Sequence, residues 1–226
     1  MDEDEIIDDA LFVTLTLNTH FIRVIDSTLI PARVTIKTDV SPREDADQEE
    51  LLGAITKIKY WLEHIVSRSI AFSADNDMAI AMLVDEQGKN RSGNRFMLTP
   101  GDPTDEVLAT LFQCKMTALA NGVAEFGFVE ITTDNELGMT FTFSGDGKSL
   151  LPTVGQWIGE RSYFNEPWWM RNDASTLDVM VPDGADPDEK PAWAFSLDTL
   201  IPAKHDAEVV IHPFKPTIID GGKGDE

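Results

Sequence analysis

PGDPTDEVLATLFQCKMTALANG, residues 100–122, carries its own start, face and stop. Asp102 stands as an N-cap, Pro103 suits a first helical position that needs no N–H, and Asp105 and Glu106 complement the positive end of the helix dipole. Val107, Leu108, Leu111, Phe112, Cys114, Ala118 and Leu119 then recur at steps of three and four, and Asn121-Gly122 tolerates the left-handed conformation that ends helices. The spacing predicts an amphipathic helix of about 18 residues whose apolar stripe needs a sheet or another helix to cover it.

Downstream, VAEFGFVEITT and MTFTFSG read as a hairpin joined through residues 134–138, with Met139, Phe141 and Phe143 on one face. Upstream, the acids of REDADQEE lead into a second helix, about residues 47–68, striped by Leu51, Leu52, Ile55, Ile58, Leu62, Ile65 and Val66. Between the helices, SIAF and RFML suit buried strands, whereas MAIAMLV mixes strand-like apolarity with helix formers. The opening LFVTLTLNTHFIRVID predicts strands near 11–17 and 20–26 with a turn at Asn18-Thr19, and ARVTIKT a third. The order implies an α+β fold: a mainly antiparallel sheet with two amphipathic helices packed on one face. An extended aromatic- and Pro-rich C-terminal segment completes it. Residues 1–9 form an acidic arm, 10–149 the core domain, and 150–226 the segment laid on it, frayed at its end.

Forty acids against 18 bases give a net charge of −22. Such a surface repels nucleic-acid phosphates and anionic membranes and favours basic protein partners. Only residues 57–95, with six bases against five acids, escape the excess. A single cysteine excludes an internal disulfide framework, and the acidic start MDEDEIIDDA is unlike the basic opening of a signal peptide. These features predict a soluble, cytoplasmic protein without a membrane span.

Catalytic signatures are thin. Cys114 lies on the apolar stripe, where packing is the expected role, and Lys115 beside it points elsewhere. His20, His64, His205 and His212 fall into no metal-ligand spacing. Asp75 with Asp77, Asp134 with Glu136, and Asp186 with Asp188 read as turn residues. FSGDGKS lacks the first glycine of a phosphate loop and follows a hairpin strand. No catalytic, cofactor-binding or metal residue is assigned on these grounds.

The segment WIGERSYFNEPWWMRND, residues 157–173, stands out by composition. Trp157, Tyr163, Phe164, Trp168 and Trp169, interleaved with Arg161 and Arg171, have the chemistry of an interface hot spot, or of anchors that pin an irregular tail to a sheet. Farther on, EVVIHPFKPTIID, with Phe214, could add a strand to its own sheet or to a neighbouring subunit. The expected function is a non-enzymatic protein-interaction or assembly subunit, with homo-oligomerisation open to it, acting through Trp157, Tyr163, Phe164, Trp168, Trp169, Arg171 and Phe214. Two alternatives stand beside it: an acidic nucleic-acid-mimicking inhibitor that occupies a basic groove, and a small enzyme with an Asp/His site.

Overall fold

The alternation that begins at Thr14 continues straight through Asn18 and Thr19. In the computed structural model, which describes residues 13–83, 91–134, 139–159, 161–191, 194, 196 and 197, strand β1 runs Val13–Ile25. Leu17, Thr19, Phe21 and Arg23 face inward, while Thr14, Thr16, Asn18 and His20 are exposed. The expected turn at Asn18-Thr19 is therefore corrected: Thr19 is buried and its hydroxyl donates to the Leu62 carbonyl at 3.0 Å. The chain reverses at Asp26-Ser27, where φ values of 47° and 63° suit the twist of a two-residue hairpin loop. Strand β2, Thr28–Pro42, then pairs antiparallel with β1 from Ile25↔Thr28 to Val13↔Val40. What alternation split into three strands is one long hairpin.

Helix α1, Gln48–Tyr60, starts at a capping box: Asp47 accepts from the Glu50 amide, and Glu50 accepts from that of Asp47. It runs directly into a π-helical turn, Trp61–Val66, and the two cover most of the predicted second helix. The widened turn buries Trp61, Leu62, Ile65 and Val66 together. Strand β3, Ser69–Ser73, is buried at every residue. MAIAMLV resolves as a short helix, α2, Asp77–Leu83, before strand β4, Arg95–Thr99.

Helix α3, Asp105–Ala120, occupies most of residues 100–122. Its N-cap is Thr104, whose hydroxyl accepts from the Val107 amide, so the helix begins two residues after the expected Asp102-Pro103 start. Asn121, at φ 49° and ψ 44°, ends it as predicted. Asp105 does more than complement the dipole. It holds Arg23 of β1 at 2.6 Å and accepts from Thr133 at 2.8 Å, tying the helix start to the sheet.

Strands β5, Ala124–Thr133, and β6, Thr140–Ser144, form the expected hairpin. The described sheet has six strands in the order β4-β3-β1-β2-β5-β6. The fold is α+β, but the sheet is mixed: β3 pairs parallel with both β1 and β4. The parallel end arises because the chain crosses over through helices, α1 before β3 and α2 before β4, and hairpin reasoning does not reveal that. Helices α1 and α3 share one face, contributing Ile58, Leu108 and Leu111 to one core cluster. Helix α2 covers the opposite face, packing Ala79 and Leu83 on Val24, Ile70 and Phe72.

Candidate functional site

Among the described residues after β6, several apolar side chains join the core beneath the sheet. Leu151, Trp157, Trp168, Trp169, Met170, Ala174 and Leu197 all pack into the α1–α3 cluster. Aromatic rings run from sheet to segment in unbroken contact. Phe21 meets Phe112 at 6.5 Å, Phe112 meets Trp61 at 5.9 Å and Trp61 meets Trp168 at 6.3 Å. Trp168 then meets Trp169 at 5.5 Å, and Trp169 meets Trp157 at 5.0 Å. Most of these pairs are edge-to-face, the arrangement that ring quadrupoles favour.

Residues 162–181 act as a strap along the outer side of β4. The Leu98 amide donates to the Thr176 carbonyl at 2.9 Å, the Thr176 hydroxyl to the Phe96 carbonyl at 2.6 Å, and the Trp168 indole to the Leu98 carbonyl at 2.9 Å. These bonds satisfy groups that an edge strand would leave open.

Beneath the strap lies a buried charge network. Lys115 is fully buried, and its Nζ donates to the carbonyls of Trp168 at 2.9 Å and Arg171 at 2.7 Å, with Asp173 at 3.6 Å. Arg171 pairs with Asp173 at 3.0 Å and Asp178 at 2.6 Å, donates to the Glu166 carbonyl and the Ser175 hydroxyl, and stacks 3.7 Å over Phe164. Asp178 accepts from the Trp168 amide at 2.8 Å. Burial pulls the Lys115 ammonium down to about 7, while Asp173 and Arg171 act on it in opposite directions. Burial works to raise Asp173, but Lys115 and Arg171 hold it below the ordinary carboxylate range. For Asp178 burial wins over Arg171 and shifts the carboxyl upward. Two bases and two acids thus fasten an irregular segment to the helix.

The predicted interface residues separate into two sets. Trp168, Trp169 and Arg171 are internal, with both indole rings at 0% exposure. Trp157, Tyr163 and Phe164 are half-buried. Phe164 and Arg171 line a cleft of about 960 Å³ between strap and core, which also takes in Arg43, Glu125, Lys148 and Lys190. Phe214 lies outside the described residues, as do the acidic arm, His205 and His212.

Sequence reasoning missed Lys115, Asp173 and Asp178. Lys115 was legible: it follows Leu108, Leu111 and Phe112 by seven, four and three positions, which places a charge on the apolar stripe. Asp173 and Asp178 sit in irregular chain, where no period marks them.

The remaining candidates have structural partners. Cys114 is buried, and burial pushes its thiol up to about 12, far from a reactive thiolate. Gly147 packs against it so closely that an added Cβ would meet its Sγ at 2.7 Å. GDGKS forms a 3-10 turn, Gly147–Ser149, in which Asp146 accepts from the Lys148 amide. Asp186 accepts from the Asp188 amide as a turn residue does. His64 is exposed and stacks on Tyr60 at 4.5 Å. Among the described residues no group of three His, Cys, Asp or Glu side chains is placed to hold a metal, and no helix is long and apolar enough to cross a membrane.

Compared with protein-family models and with curated proteins, the sequence matches none.

Proposed function

We propose that the protein is a non-enzymatic interaction or assembly subunit, contacting protein partners through the strap and the arm beyond it. The observation that carries this reading is the division of labour within one aromatic run. Trp168, Trp169 and Arg171 fix the strap from inside, and Tyr163 and Phe164 are left half-buried beside the cleft. A preorganised aromatic surface costs a partner little ordering entropy, which is how interface hot spots gain affinity. The cleft's Arg43, Lys148 and Lys190 stand among Glu44, Glu125 and Glu166, so a partner of mixed charge suits it better than a strongly basic one. Light scattering of the full chain across a concentration series should show association, and Tyr163→Ala with Phe164→Ala should weaken it about tenfold or more. A strict monomer that binds no partner would sink the reading.

A second reading, the acidic mimic of a nucleic-acid surface, draws on Glu44, Asp45, Asp47, Glu49 and Glu50, all exposed around the start of α1. It requires binding to a basic groove that weakens steeply between low and moderate salt. Salt-insensitive binding would remove it.

A further inference from the structure

Helix α2 covers the sheet face turned away from α3 around Val24, Ile70 and Phe72. Farther back along the same strands that face is open, and a hollow of about 890 Å³ lies there. Its charged lining follows the sheet itself. His20 of β1 stands directly opposite Arg33 of β2. On the other side of β1, one residue before β3 begins, the Arg68 amide donates to the His20 carbonyl at 2.9 Å. Just past the end of β5, the Asp134 amide donates to the Arg33 carbonyl at 2.9 Å. Arg68, His20, Arg33 and Asp134 therefore form one transverse line across neighbouring strands, and all four are exposed.

This line inverts the sign of the chain. Against a net charge of −22, two arginines and a histidine here face one carboxylate, whereas the cleft beside the strap balances four bases with four acids. Arg68 also holds a φ of 66°, a left-handed conformation that glycine adopts freely and arginine does not. Among the described residues nothing pairs with its guanidinium. An arginine at a position that suits glycine, with its charge unpartnered inside the fold, is explained by a group from outside the fold.

We infer that the hollow binds the phosphate group of a small phosphate monoester. Three donor groups match its three terminal oxygens: Arg68 and Arg33 from the flanks and His20 between them. Neighbouring strands lie about 4.8 Å apart, so the two arginines start about 10 Å apart, a gap that their long, planar forks close around an oxyanion. Ser67 Oγ lies 3.5 Å from His20 Nδ1, which leaves Nε2 to the ligand. The Arg33–Asp134 pair, at 3.6 Å with side chains 76% and 72% exposed, is weak enough for a dianion to displace. Beside the row, Ile22 and Pro31 face each other across the hairpin and give an apolar shelf for the organic part. A lone carboxylate would leave donors unmatched, and a polyanion would meet the surrounding acids. A compact dianion avoids both, because salt confines the field of those acids to roughly 8 Å. The inference uses no residue of the strap and stands apart from the interaction reading.

Calorimetric titration of the full chain with phenyl phosphate tests it. Phenyl phosphate should bind about tenfold more tightly than benzoate, which keeps the ring and loses the dianion, and about fivefold more tightly than inorganic phosphate, which has nothing to lay on the Ile22–Pro31 shelf. Arg68→Gly should weaken phenyl phosphate binding about tenfold while the melting temperature stays level or rises, a combination that a structural role for Arg68 forbids. Arg33→Gln should weaken it similarly, and Asp134→Asn, which removes the competing carboxylate, should tighten it about threefold. No binding at about 10 mM phenyl phosphate overturns the inference. So does an affinity that neither Arg68→Gly nor Arg33→Gln alters, or equal binding of benzoate. Tighter binding of a single-stranded oligonucleotide than of phenyl phosphate also overturns it, and assigns the row to a polyanion.

Discussion

The parallel end of the sheet and its antiparallel end solve the same problem in opposite ways. At the parallel end, β3 is buried on both faces, α2 lies on one side and the α1–α3 core on the other, and the strap closes β4. At the antiparallel end, β5 alternates between buried and more open residues, and β6 offers Thr140 and Thr142 to solvent. One end is stabilised by covering everything and must then neutralise what it has covered, including Lys115 and Arg171. The other leaves Thr140, Thr142 and Ser144 of its outer strand exposed, and it meets a buried charge at Thr133, which accepts from Arg23.

This contrast breaks most readily at Arg171. Arg171→Ala removes the partner of the buried Asp178 and the donor to Glu166 and Ser175. Stranding one half of a buried pair costs about 3–5 kcal/mol, so urea unfolding should show a loss of that size. Exchange at β4 should rise while exchange at β6 stays near its original rate. Equal loosening at both ends would erase the distinction.

Lys115 supplies the next test, through pH. Its ammonium is held at about 7 in the fold, against an ordinary 10.5. Between those values the unfolded chain binds the extra proton, so stability rises with pH across the window, by about 5 kcal/mol at most. Below pH 7 both states carry the proton and the dependence vanishes. Lys115→Met should flatten the alkaline slope of the unfolding midpoint; an unchanged slope would mean that the buried charge is not the source.

At the antiparallel end, Gly147→Ala should act by crowding instead of charge. Its Cβ would meet Cys114 Sγ at 2.7 Å and Gln113 Oε1 at 2.8 Å, and overpacking of this kind costs about 1–3 kcal/mol. A second change, Cys114→Ala, should restore part of the loss, and a thermodynamic cycle over the pair measures the clash. The smallest effect belongs to the β1–β2 turn shared by both ends. Ser27 holds a φ of 63°, so Ser27→Gly should stabilise by about 0.5–1 kcal/mol, read as a higher urea midpoint.

Much of this fold is legible in periodicity. The stripe of α3, the capping acids of α1 and the β5–β6 hairpin follow from spacing alone, because each element satisfies its own backbone bonds or those of its neighbour. Asn18-Thr19 misled because two polar residues resemble a turn; one faces solvent and the other finds the carbonyl of Leu62. Which strands pair in parallel was hidden, since β3 meets β1 about fifty residues away. In the candidate site, the aromatic run was visible by composition. Its split into internal Trp168 and half-buried Tyr163 was not, because irregular chain has no period to say which way a ring turns. Lys115 lay in plain view, a cation at an apolar position of the best-written helix.

The linked rings have an optical consequence. Trp61, Trp168, Trp169 and Trp157 follow one another at 6.3, 5.5 and 5.0 Å, close enough for their electronic transitions to couple. Their near-ultraviolet circular dichroism therefore behaves as one chromophore spanning helix and strap. Lifting the strap divides that chromophore, so the protein carries a native spectroscopic gauge of whether its aromatic segment is docked.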